Sequence, residues 1–329
     1  MPLTRSFNVT LRERAARDPA FRAALLGEAV QALLAGDLDT AKAALRAYIN
    51  ATIGFEKLAA ATGTPVKSLM RMFGPLKNGI DEDALDGALD IPYDIPNRRV
   101  EYAQSEPRAL RVGWWRGVSP NNNVFAIESF MDELAERAGM DPVAYRLLVL
   151  ADPRARAVVE DAARLADWKA GLPPGTGRGR GIGFARYKNL AAYAAVVAEV
   201  EVDESVRLLR VWCAADAGLV VNPDGAINQL EGGIIQAASW ALKEGVRLDT
   251  GGISSRDWES YPVLRFSEVP EVLVELVNPA ADLPPLGVGE ASGGPTVAAI
   301  GNAVAHALGA RVRDLPLTRE RIMAALLKA

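Results

Sequence analysis

The segment Leu283-Pro-Pro-Leu-Gly-Val-Gly-Glu-Ala-Ser-Gly-Gly-Pro-Thr296 sets a single carboxylate, Glu290, among four glycines. Gly287, Gly289, Gly293 and Gly294 open backbone conformations closed to other residues and leave N–H groups unobstructed. Pro295 suits the first turn of a following helix. A glycine-rich loop that feeds a helix N-terminus favours an anionic group. A lone acid beside a bound cofactor can act as a general base, and that is the chemistry this segment offers. The plain alternative is a tight turn before a surface helix, with Glu290 simply solvated.

Gly287-Val-Gly289 also looks like the start of a dinucleotide-binding fingerprint. The fit is poor: the third glycine position holds Ser292, and two prolines stand where a strand should end. No acid follows a second strand at the usual interval. Elsewhere the chain has one cysteine, Cys213, and one histidine, His306. An intramolecular disulfide is therefore impossible, and no structural zinc site or protein-ligated iron–sulfur cluster fits. A metal must arrive inside a cofactor or on a partner chain. Cys213 lies in an apolar strand and reads as core rather than as a reactive thiol. His306, on an alanine-rich helix, reads as structural. Asp216 and Asn222 read as turn organisers through side-chain-to-backbone bonds.

The elements that must position these residues belong to a chain of 329 residues, half of them hydrophobic and 24% charged. That is ordinary globular composition, with room for two or three domains of roughly 100–200 residues. Net charge is −4, unevenly spread: residues 1–79 carry 11 Lys/Arg against 6 Asp/Glu, the remainder 26 against 35. Such asymmetry points to two modules with different partners. The chain has no transmembrane stretch and no apolar secretory leader, so a cytoplasmic protein with no membrane partner is expected.

Residues 9–73 read as helical, with apolar positions Phe21, Leu25, Ala29 and Leu33, then Leu38, Ala41, Leu45 and Ile49. Asp18-Pro19 and Gly36-Asp37 read as capped helix starts. Residues 80–97 form an acidic, proline-punctuated junction, with a short helical turn at Asp83–Leu89. Beyond it we expect strands at Arg98–Gln104, Ala192–Val202, Leu208–Ala215 and Val272–Val277. Helices are expected at Asn123–Ala138, Ala155–Ala166, Asn228–Leu242, Thr296–Leu308 and Thr318–Lys328. Without regular βαβ alternation this is an α+β fold rather than a doubly wound sheet. The expected domains are an all-α module over 1–79 and a mixed α/β domain over 98–329.

Several motifs in this second part occur in one order. They are Trp114-Trp-Arg-Gly-Val-Ser-Pro120, Phe125-Ala-Ile-Glu-Ser-Phe-Met-Asp-Glu-Leu-Ala135 and Asp141-Pro-Val-Ala-Tyr-Arg146. After them come Cys213-Ala-Ala-Asp-Ala-Gly-Leu-Val-Val-Asn-Pro223, Gln229-Leu-Glu-Gly-Gly233 and Gly287-Val-Gly-Glu290. Together they resemble the C-terminal part of the molybdopterin-binding subunits of xanthine dehydrogenase/aldehyde oxidase-type enzymes. The resemblance is greatest to the large subunit of the isoquinoline 1-oxidoreductase type. It implies a molybdenum–molybdopterin cofactor, with the cytosine dinucleotide form as one alternative, and iron–sulfur clusters on a separate small subunit. The implied reaction is hydroxylation of an aldehyde or N-heteroaromatic carbon by water, with Glu290 as the base. Trp115, Arg116 and Gly117 match the segment near the metal. Gln229, Gly232 and Gly233 match a glycine-rich cofactor segment, and Gly287, Val288 and Gly289 match the loop beside the metal. No protein side chain is implied as a metal ligand. The ordinary alternatives are core packing for Trp114 and Trp115 and a surface ion pair for Arg116. The family's large subunits are more than twice as long, and their Met-Gly-Gln-Gly segment does not occur in this sequence. Catalysis is therefore expected to need further parts.

Phe55-Glu-Lys-Leu-Ala-Ala-Ala-Thr-Gly-Thr-Pro-Val-Lys-Ser-Leu-Met-Arg-Met-Phe73 has helix-turn-helix form. Phe55, Leu58 and Ala59 would pack its first helix, Gly63 would turn, and Thr64-Pro65 would start the second. Lys67 and Arg71 would face outward towards DNA. Residues 7–78 resemble small DNA-binding antitoxin-like regulators. Two further readings thus stay open: a DNA-binding regulator with a degenerate C-terminal domain, and an inactive fusion of two truncated modules.

Overall fold

The computed structural model describes residues 14–15, 17–35, 38–62, 82–103, 113–168, 172–277 and 282–327. The chain divides into two compact units, Met1–Glu82 and Asp83–Ala329.

In the first unit α1 (Pro19–Leu34), α2 (Leu38–Ala51) and α3 (Gly54–Thr62) are described. Asp18 caps α1 as expected, its carboxylate accepting from the Phe21 N–H at 3.0 Å with Pro19 in the first turn. Phe55, Leu58 and Ala59 pack together, joined by Ile49. On α1 only Ala29 is buried, and Leu33 is 47% exposed, so the expected inner face is only partly covered. Gly36-Asp37 and the second half of the expected helix-turn-helix, with Gly63, Thr64, Pro65, Lys67 and Arg71, lie outside the described residues.

One helical turn, Glu82–Leu85, falls at the boundary between the two units. The strand expected at Arg98–Gln104 does not form: residues 98–103 have no regular structure, and 104 lies outside the described residues. Val100 and Tyr102 do alternate with polar residues, but no strand pairs with this segment among the described residues. Three helices follow: α4 (Pro120–Arg137), α5 (Pro142–Val149) and α6 (Pro153–Leu165). Each has proline in its first turn, and Asp141 and Asp152 cap α5 and α6 with their carboxylates.

The sheet runs β1 (Arg178–Arg186), β2 (Tyr193–Val202), β3 (Val206–Asp216) and β6 (Glu271–Leu276) in that spatial order. β1, β2 and β3 are antiparallel, and β6 lies parallel to β3. The crossover between β3 and β6 carries α7 (Pro223–Leu242) and a two-residue hairpin, β4 (Leu248–Asp249) with β5 (Gly252–Ile253). α8 (Gly293–Leu308) and α9 (Arg319–Leu326) close the chain. This is the mixed α and β architecture that the sequence predicts.

Both faces of the sheet are covered, and burial along the first eight residues of β2 is unbroken. One face, with Val196, Ala198, Val211 and Cys213, packs on α7 and α8. The other, with Phe184, Ala195, Val197 and Trp212, packs on α6 through Val158, Val159 and Ala162. A fully buried valine stabilises by about 1.5–3 kcal/mol relative to an exposed one. The absence of Cβ atoms on Gly179, Gly181 and Gly183 seats α8 directly on β1. A Cβ at Gly181 would lie 2.2 Å from the Ala303 nitrogen. No strand is expected over Arg178–Arg186 from the sequence, because glycine at alternate positions leaves no apolar alternation to mark one.

A buried polar cluster fixes α4. Glu128 accepts from Arg146 Nε at 2.8 Å, from the Tyr93 O–H at 2.6 Å and from the Phe184 N–H at 3.0 Å. Arg146 also donates to Asp132 at 2.6 Å. α4 is thereby pinned to α5 and β1, and its N-terminus is held where the candidate site begins.

Candidate active site

The turn that enters α4 is built around Gly117. Its φ is 85°, and a Cβ there would lie 2.4 Å from Asn121 Nδ2. Only glycine fits such a position. Asn121 Nδ2 donates to the Arg116 carbonyl at 2.7 Å and holds the turn closed. Asn121 also packs against Gly293 at the start of α8, so the two helix N-termini meet. Its Oδ1 is buried without a partner among the described residues.

From that turn two groups reach the glycine loop. The Gly117 N–H donates to Glu290 Oε1 at 2.9 Å, and Arg116 Nε donates to the Gly289 carbonyl at 2.7 Å. The rest of the Arg116 guanidinium lies on α7. Nη2 donates to the Gln229 carbonyl at 2.8 Å and Nη1 to Gln236 Oε1 at 3.3 Å. Gly232 and Gly233 pass beside it, and Cβ atoms there would make ordinary contact with its nitrogens at 3.7 and 3.5 Å. Gly233 also faces Ser292 Oγ, which donates to the Leu230 carbonyl at 2.9 Å. All of these Arg116 partners are amide oxygens, so the surface ion pair does not arise.

The second oxygen of Glu290 is held from β1. Tyr187, just past the strand end, donates its O–H to Glu290 Oε2 at 2.7 Å. Glu290 is thus not a freely solvated side chain. An ionised carboxylate offers about four acceptor sites, so two donors leave capacity for a proton.

The loop is anchored from β3. The Leu286 N–H donates to the Ala217 carbonyl at 2.8 Å, and Leu286 and Val288 pack on the core. Asp216 organises the turn as expected, accepting from the Gly218 N–H at 2.9 Å while Arg154 grips it with two bonds. Asn222 caps α7 by accepting from the Gly225 N–H at 3.0 Å. Cys213 is buried in the sheet, and burial pushes its thiol up to about 12. His306 accepts from the Arg180 N–H at 3.2 Å, and burial lowers its pKa. Trp115 is 51% exposed and stacks edge-on with Trp240, their centroids 4.9 Å apart, and Trp114 is 41% exposed. Neither is a core aromatic.

Arg116, Gly117, Gln229, Gly232, Gly233, Gly289 and Glu290 therefore converge, with Trp115 and Val288 beside them. Gly287 stands at the exposed edge of the loop, where an added Cβ would meet nothing. Sequence reasoning missed Tyr187, Asn121 and Gln236. The only signal for Tyr187 was a polar aromatic in the short Arg186-Tyr-Lys-Asn189 link between two strands.

The donor set decides what metal chemistry this site could support. Among the described residues no three His, Cys, Asp or Glu side chains gather to hold a metal ion. A metal held inside an organic ligand would need no such set. The open edge at Gly287, the amide of Gln229 and the orphaned Asn121 oxygen suit such a ligand. The molybdopterin cofactor-binding domain has two family models, and both match this chain, at residues 46–150 and 131–270.

Each match covers less than half of the chain, and both describe a molybdopterin cofactor-binding domain.

The chain is 43% identical over 251 residues to a nicotinate dehydrogenase subunit of Pseudomonas putida, a match covering 71% of this chain and 21% of that protein. It is 38% identical over 232 residues to the beta subunit of isoquinoline 1-oxidoreductase from Brevundimonas diminuta, covering 69% and 29%. Both relatives are named as subunits, and the chain spans less than a third of either. In fold it is similar to quinoline 2-oxidoreductase from Pseudomonas putida 86. The TM-score is 0.58 at 13% identity, over 66% of this chain and 53% of that one. No helix among the described residues is long and apolar enough to cross a membrane.

Proposed function

We propose that this chain supplies the base-bearing wall of a molybdopterin-dependent hydroxylase that inserts oxygen from water into an aldehyde or N-heteroaromatic carbon. Two-point holding of the Glu290 carboxylate, inside a chain matched by both cofactor-domain models, carries the reading. Trp115, Arg116, Gly117, Gln229, Gly232, Gly233, Gly287, Val288 and Gly289 would line the cofactor. When bound, the molybdenum–pterin group supplies two-electron redox chemistry, and its electrons leave through iron–sulfur clusters on a small partner subunit. The chain's own part is acid–base and positional. Glu290 accepts a proton, the Gly117 N–H fixes Oε1, and Arg116 keeps the loop carbonyl at Gly289 turned away from that work. The cytosine dinucleotide form of the cofactor and a cytoplasmic setting belong to the same reading.

A DNA-binding role is not favoured, because the cofactor-domain match at 46–150 takes in Lys67 and Arg71. The test is Glu290→Gln in the assembled enzyme. Cofactor content should stay at the wild-type level while turnover falls by about 100-fold or more. Unchanged turnover would remove Glu290 as the base.

A further inference from the structure

Three of the four non-glycine residues with positive φ among the described residues flank the arms that hold Glu290. They are Val118 (48°), beside Gly117, and Lys188 (51°) and Asn189 (55°), beside Tyr187. A β-branched residue in this region is a genuine outlier, and such strain persists only where surrounding contacts enforce it. The contacts at Tyr187 are explicit. Its N–H donates to the Ala192 carbonyl at 2.9 Å, and its own carbonyl accepts from the Ala191 N–H at 3.0 Å. Lys188 is tied to Asp86 at 2.6 Å. The turn is closed on itself, and its product is a phenol aimed at Glu290 Oε2.

We propose that Tyr187 is a positioning residue for Glu290, fixing which carboxylate oxygen faces the reacting atoms. With Oε2 taken by the phenol O–H and Oε1 by the Gly117 N–H, the carboxylate cannot rotate without losing both bonds. The other charged groups near Glu290 are engaged elsewhere. Arg116 bonds to amide oxygens, Lys188 pairs with Asp86, and Glu128 pairs with Arg146. Arg186 lies over the Tyr193 ring at 4.8 Å. The phenol and the Gly117 N–H are therefore the donors that touch the carboxylate itself.

The inference rests on Glu290 as the base, but its test needs no cofactor and can fail while the hydroxylase reading stands. The full chain is labelled with ¹³C at glutamate carboxyls and its NMR spectrum is recorded at one neutral pH, the Glu290 signal being the one lost in Glu290→Gln. In Tyr187→Phe the Glu290 signal should move and broaden, because Oε2 loses its donor and the carboxylate is free to rotate. A tyrosine with a merely structural role would lower the melting temperature and leave that signal in place. If Tyr187→Phe does not fold, protein grown on 3-fluorotyrosine decides. Its phenol donates more strongly and should move the signal in the opposite direction. An unchanged signal in the folded Phe variant, or in the fluorotyrosine protein where that variant does not fold, overturns the proposal.

Discussion

Arg116 Nε meets the Gly289 carbonyl at 2.7 Å, across 173 positions of sequence. One planar guanidinium ties the turn before α4, the face of α7 and the glycine loop into a single unit. It joins the Asn121 contacts in fixing the Gly117 N–H against Glu290. Arg116→Lys cannot reproduce this forked set of bonds. The variant should lose about 1–3 kcal/mol of stability by urea unfolding. A wild-type midpoint would show that the bonds hold nothing together.

The glycines of the site divide by what lies beside them. A Cβ at Gly233 would fall 2.3 Å from Ser292 Oγ, whereas at Gly287 it would meet nothing. Gly233→Ala should cost about 1–3 kcal/mol through overpacking. Gly287→Ala should change stability by less than about 0.5 kcal/mol. Calorimetry on the pair checks this ordering, and equal melting temperatures would contradict it.

Much of this arrangement was legible in the sequence and some was not. The Asp18, Asn222 and Asp216 assignments needed only local side-chain-to-backbone chemistry, which spacing reveals. The glycine loop and Glu290 were visible because residue types alone mark them. β1 was hidden because Gly179, Gly181 and Gly183 leave no apolar alternation to mark a strand, and their role shows only once α8 is known to lie on them. The strand expected at Arg98–Gln104 failed for the opposite reason, having a pattern but, among the described residues, no strand paired with it. Tyr187 could not be found from spacing, since its link to Glu290 spans 103 positions and depends on two strained residues beside it.

Glu199 makes the fold sensitive to acid. It is buried, which pushes its carboxyl up. Hydrogen bonding to and the charge of Arg180, with Arg210 beside it, outweigh this, and the group sits below the usual carboxylate range. A depressed carboxyl contributes stability above its unfolded value of about 4.3, and that stability is lost as pH falls through the folded value. The melting temperature should therefore drop from about pH 5 to pH 3, and Glu199→Gln should flatten the drop. An identical slope in the variant would assign the acid sensitivity to other groups.

Cys213 offers a reporter of unfolding. It is the chain's one cysteine, fully buried with its thiol pushed up to about 12. Iodoacetamide should leave the native protein unmodified and label it once denaturant opens the sheet. Rapid labelling of native protein would place the thiol outside the core of the sheet.

The central claim is that this chain lines a molybdenum–pterin cofactor beside Glu290. Its most direct test is the molybdenum and pterin content of the purified chain, alone and assembled with a candidate small iron–sulfur subunit. The account predicts both components in the assembled sample, and their retention in Glu290→Gln. Absence of molybdenum from both the isolated and the assembled chain would contradict it.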